Sequence, residues 1–154
     1  MKLPSYQGGF SYLIALFAVA VVALLSLRAL EHQKTKEQRI KEEELLFVGL
    51  AYQNAIRAYY EGSPGSAKQY PAELSDLLFD GRATKIKRPL RRLYRDPITG
   101  SENWGLIRNA DGNLIGVYSL STEKPIKVGG FPKELQSLTG ANRYQDWKFV
   151  FLVK

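Results

Sequence analysis

Residues Phe10 to Leu27 read FSYLIALFAVAVVALLSL, eighteen positions without a charge. At ~1.5 Å per residue a helix of this length spans ~27 Å, close to the ~30 Å of a bilayer's hydrocarbon core. Its polar residues, Ser11, Tyr12 and Ser26, lie near the two ends. A cleaved secretory signal has a shorter apolar region and a small-x-small cleavage site after it. The nearest candidate is Leu27-Arg28-Ala29, a poor one. The run therefore reads as a retained, membrane-embedded helix.

The helix is expected to continue past the run. Arg28 to Glu61 holds no proline and one glycine, Gly49, and is rich in Ala, Leu, Glu, Lys and Gln, all good helix formers. From Leu45 the apolar positions Leu45, Val48, Gly49, Tyr52, Ala55, Ile56 and Tyr59 recur at helical spacing. Gly62-Ser63-Pro64-Gly65 ends the pattern. One helix over Phe10–Glu61 would be ~78 Å long. Its second half is amphipathic and needs a covering surface.

The rest of the chain must supply that surface. Pro71 to Phe79 reads as a short helix with proline and acids in its first turn. Asp96-Pro97-Ile98-Thr99 reads as a type I turn. Three strands are expected, Trp104–Ile107, Leu114–Leu120 and Trp147–Val153. The first two flank Asn109-Ala110-Asp111-Gly112-Asn113, which has hairpin-turn composition. The expected fold is α+β, a long N-terminal helix packed on a small antiparallel sheet of about three strands. The expected divisions are a leader (1–9), a transmembrane part (10–31), an amphipathic part of the helix (32–61) and a globular region (62–154).

Composition narrows the function. The chain of 154 residues has no cysteine and one histidine, His32. Thiol nucleophiles, Cys-ligated metals and two-histidine metal sites are excluded. His32 has no visible catalytic companions, and the chain reads as a non-enzyme without cofactor. The net charge is +7, and over residues 63–154 fifteen basic residues face nine acidic ones. Seven cations crowd one connector: Arg82, Lys85, Lys87, Arg88, Arg91, Arg92 and Arg95. Arg88, Arg91, Arg92 and Arg95 are candidate contacts for another subunit or a polyanion. The alternative is a solvated loop, the more ordinary outcome. Nearly no aromatic interleaving accompanies these cations, which argues against nucleic acid. Glu42, Glu43 and Glu44 read as a solvated helix face. Tyr52, Tyr59, Tyr60, Trp104 and Trp147 read as core anchors.

The leader MKLPSYQGG followed by FSYLIALFAVAVVALL resembles a type IV pilin-like prepilin. The segments YPAELSDLL (70–78), RDPITGSENWGLI (95–107) and GVYSLS (116–121) resemble pseudopilins of type II secretion systems, especially the major, G-type group. The resemblance implies a pilin-like fold and cleavage between Gly9 and Phe10 by a prepilin peptidase, with methylation of the new Phe10 amine. It implies a bacterial inner-membrane protein with one membrane pass and its globular part in the periplasm. Its implied partners are membrane lipid, an assembly platform and other pseudopilin subunits, which bundle their N-terminal helices into a filament for protein export. Counting flanking cations alone would instead place the C-terminal part in the cytoplasm.

Two positions depart from the family. Where it usually has Glu, five residues into the mature chain, this sequence has Ile14, which suggests a minor or atypical subunit. Where major pseudopilins usually hold calcium, Ser121-Thr122-Glu123-Lys124-Pro125 supplies one acid beside a lysine; no calcium is expected there, because calcium takes six to eight oxygens. The alternatives are a minor pilin of a type IV pilus or DNA-uptake machine, and a single-pass envelope protein with a soluble binding domain.

Overall fold

The computed structural model describes residues 8–82 and 86–153 and, within the first helix, the side chains of 11–26 and 33–61. Residues 1–7 of the leader, the surroundings of Gly9, the side chains of Phe10, Arg28 and His32, and Lys85 lie outside the described residues. The fold is α+β. Helix α1 runs from Gly8 to Glu61. Three strands follow, β1 (Gly105–Arg108), β2 (Leu114–Tyr118) and β3 (Lys148–Val150), in one antiparallel sheet of order β1-β2-β3.

The chain forms two compact units, Met1–Glu37 and Gln38–Lys154. In the first, every residue from Ser11 to Ser26 is exposed, including Tyr12, Leu13, Phe17 and Leu25. The Ser26 hydroxyl donates to the Val22 carbonyl at 2.8 Å, so this polar group is satisfied within its own helix. Among the described residues no helix is long and apolar enough to cross a membrane.

In the second unit the helical stripe meets the sheet. Leu45, Val48, Tyr52, Ala55, Ile56 and Tyr59 are buried with Val117, Trp147 and Phe149 in one core. Gly49 permits the closest approach: a Cβ there would run into the Phe149 ring. Gln53 Nε2 donates to the Val150 carbonyl at 2.7 Å, tying α1 to β3. Tyr60 lies at the edge of this core rather than in it, half-buried beside Tyr70 with ring centroids 4.5 Å apart.

The hairpin between β1 and β2 forms where its composition places it. Asn109 Oδ1 accepts from the amides of Asp111 and Asn113, and Gly112 takes φ 81°, a conformation open to glycine. The strands are shorter than expected. Trp104 precedes β1, its indole N–H donating to the Tyr94 carbonyl at 2.8 Å. Ser119 ends β2 by turning its hydroxyl onto Asp96 at 2.7 Å. Beyond β3 one further bond, Phe151 N–H to Ile115 O at 2.9 Å, continues the contact.

The expected helix over Pro71–Phe79 is only a short 3₁₀ helix, Leu74–Leu77. The Pro71 carbonyl accepts from Leu114 N–H and the Leu77 carbonyl from Leu90 N–H, both at 2.8 Å. The Leu114 amide thus takes the Pro71 carbonyl, which a helix over 71–79 would pair with Ser75 N–H. Two more 3₁₀ helices, Lys133–Leu138 and Tyr144–Asp146, lie between β2 and β3.

Candidate functional site

The basic connector divides once its partners are seen. Arg82 is internal to the fold. Its Nε is 2.8 Å from Asp80 Oδ1, its Nη2 donates to the Tyr59 carbonyl at 2.6 Å and its Nη1 to Ser63 Oγ at 2.9 Å. The guanidinium lies 3.5 Å from the Tyr59 ring centroid. The cation therefore satisfies a carbonyl left free at the end of α1, where positive charge is favourable. Its hydrogen bonds hold the buried Asp80 carboxyl below its ordinary pKa, and Asp80 in turn raises that of Arg82.

The rest of the connector is laid onto the core at fixed points. Lys87 pairs backbone to backbone with Asp80, and Leu90 is buried. Tyr94 N–H donates to the Tyr52 hydroxyl at 2.9 Å, which donates back to the Tyr94 carbonyl at 3.2 Å. Burial pushes the Tyr52 phenol above its ordinary pKa. Arg88, Arg91, Arg92 and Arg95 are exposed on this fixed backbone. Arg95 pairs with Glu102 at 2.8 Å, both side chains about three-quarters exposed, and such a pair contributes little. Arg92 lies 5.1 Å from the Tyr94 ring centroid. Arg88 and Arg91 have no acid partner among the described residues. Beside the connector is an open groove of about 340 Å³, lined by Glu44, Val48, Arg92, Leu93, Arg95 and Glu102 among others. It mixes both signs of charge.

Asp96 opens the expected turn and is fully buried. Its carboxylate accepts from Ile98 N–H, Thr99 Oγ1 and Ser119 Oγ at 2.7–2.9 Å. Every contact organises backbone or a neighbouring hydroxyl, so its role is to lock the turn against β2.

Glu42 corrects the sequence reading. Glu43 and Glu44 are exposed, but Glu42 is 2% exposed. Its carboxylate accepts from the amides of Ile126 and Lys127 and from the Tyr144 hydroxyl. Helical spacing alone does not single it out: Glu42 falls three and seven positions before Leu45 and Gly49, but the exposed Glu44 falls four and eight before Val48 and Tyr52. Tyr144 is pushed above its ordinary pKa, first by burial and then by this carboxylate, against the bond from Gln38.

Among the described residues, no group of three or more acidic or histidine side chains could hold a metal. In the segment 121–125, the Glu123 carbonyl accepts from Tyr144 N–H and the Lys124 carbonyl from Gln38 Nε2. Those oxygens are already engaged in holding the fold. Comparison with protein-family models, curated proteins and solved structures gives no match.

Proposed function

We propose that this chain is a pseudopilin subunit of a type II protein secretion system, anchored in the bacterial inner membrane with its globular part in the periplasm. The observation that carries the reading is α1 itself. One helix, Gly8–Glu61, begins as an apolar segment exposed on all sides and ends as a stripe buried beneath a small antiparallel sheet. An element apolar all round needs lipid or other helices around it. A subunit passing from membrane to filament exchanges one apolar environment for the other. The leader and the segments at 70–78, 95–107 and 116–121 name the same class by resemblance. Prepilin peptidase would cut between Gly9 and Phe10, and the assembly platform would deliver the subunit to its neighbours.

Ile14 assigns the subunit a minor or atypical place. A buried carboxylate facing a neighbour's amine can fix register, and Ile14 cannot supply it. The test is to shear filaments from cells expressing the whole assembly and label them with antibody to this chain. Label confined to tips or scattered sparsely supports the reading; label along the full length makes the chain the main component. A filament fraction without the chain leaves the single-pass envelope protein.

A second reading, the minor pilin of a DNA-uptake machine, is favoured by one observation: Arg88 and Arg91 are exposed on a fixed backbone, without acid partners among the described residues. It predicts DNA binding that falls steeply with salt.

A further inference from the structure

The segment from Ser121 to Phe131 is attached to the molecule in an unusual way. Its two ends are buried, but between them Pro125 is the one buried residue; Thr122, Glu123, Lys124, Val128 and Gly130 are exposed. Apolar burial therefore holds it weakly. Between those ends two carbonyls are held from outside α1, Glu123 O by Tyr144 N–H and Val128 O by Gly140 N–H, both at 3.1 Å; the other polar attachments converge on two side chains of α1. Glu42 Oε1 accepts from Ile126 N–H and from the Tyr144 hydroxyl at 2.9 Å, and Oε2 accepts from Lys127 N–H at 3.2 Å. Gln38 Nε2 donates to the Lys124 carbonyl at 3.1 Å and to the Tyr144 hydroxyl at 2.9 Å. The surrounding charges are Arg39 and Glu43 on the helix and Lys127 on the segment, which line a small cavity of about 140 Å³ with Glu42 and Ile126. Beyond the attachment lie Gly129 and Gly130, the latter at φ 71°, a natural pivot.

We propose that residues 122–130 form a strap that opens independently of the core, and that the Glu42 carboxylate is its latch. Segments with few buried apolar contacts open at lower free energy than the core around them. Hydrogen bonds to an ionised acceptor are about twice as strong as neutral ones, so the two strap amides on Glu42 outweigh the two neutral backbone bonds at Glu123 and Val128. Gln38 and Tyr144 are positioning residues. They bond to each other, and Tyr144 carries that contact to the carboxylate. The proposal is independent of the filament reading.

The experiment is amide hydrogen exchange on the full chain in detergent micelles. In the wild type, the strap amides are expected to exchange faster than those of Val117 and Phe149 in the sheet. Glu42→Gln, equal in size but neutral, is expected to speed strap exchange at least tenfold, about 1.4 kcal/mol, with the sheet amides unmoved. Tyr144→Phe should give a smaller increase in the same amides. Strap amides that exchange in the wild type only as slowly as the sheet would overturn the proposal. So would equal acceleration of strap and sheet in Glu42→Gln. Where Glu42→Gln does not fold, the wild-type comparison decides independent opening and Tyr144→Phe decides the latch, unchanged strap exchange in that variant overturning it.

Discussion

Replacing Gly49 with alanine sets two effects against each other. Glycine inside a helix is about 0.8–1.0 kcal/mol worse than alanine, so the change should stabilise α1 on propensity alone. The added methyl, however, runs into the Phe149 ring. That ring is fully buried and cannot swing into solvent. Overpacking of this kind costs about 1–3 kcal/mol. The second effect wins, and a net loss of about 1 kcal/mol is expected, roughly 4 °C in melting midpoint. Asn54→Ala is the control. Asn54 is exposed on the same helix and gains propensity without a clash, roughly 0.5 kcal/mol. Trp104 and Trp147 are both buried in the second unit, so their fluorescence during urea unfolding of the full chain in detergent reports on it. Phe149→Leu combined with Gly49→Ala should lose less than the sum of the two changes. If Gly49→Ala stabilises the protein as Asn54→Ala does, the packing of α1 on β3 described above is wrong.

Three further outcomes are expected. Asp80 has a folded pKa below its unfolded value, so its contribution is complete above about pH 4–5 and is lost as pH falls through the folded value. Asp80→Asn should cost roughly 2 kcal/mol at pH 7 and flatten the acid limb of the stability curve, read by melting from pH 7 to 2. Tyr52→Phe removes the acceptor of Tyr94 N–H and should cost about 1–2 kcal/mol by urea denaturation. Joint replacement of Arg88, Arg91 and Arg92 by alanine should leave the urea midpoint within about 0.5 kcal/mol of wild type, whereas Arg82→Ala should lower it clearly.

Local signals reached the long elements and stopped at the long-range contacts. The end of α1 was legible because Gly62-Ser63-Pro64-Gly65 cannot continue a helix, and the structure ends it at Glu61. The hairpin was legible because Asn109 and Gly112 carry their own turn chemistry. The segment 71–79 was misread because its first carbonyl, Pro71 O, is claimed by Leu114 from elsewhere in the chain. The basic connector looked uniform by composition. Only the fold separates Arg82, engaged with Asp80 and the end of α1, from Arg88 and Arg91 on the surface. Glu42 was hidden by its neighbours: helical phase turns Glu43 away from the stripe but leaves Glu42 and Glu44 equally near its two borders, and only the contacts with Ile126, Lys127 and Tyr144 bury the first.

The central claim is that the N-terminal helix is the processed, retained anchor of a filament subunit. The most direct measurement is the intact mass of the chain purified from its native membrane. The account predicts loss of residues 1–9 and gain of one methyl group on Phe10. A full-length, unmodified mass would contradict it and leave a plain membrane anchor; a mass corresponding to cleavage near Ala29 would make the apolar run a discarded secretory signal.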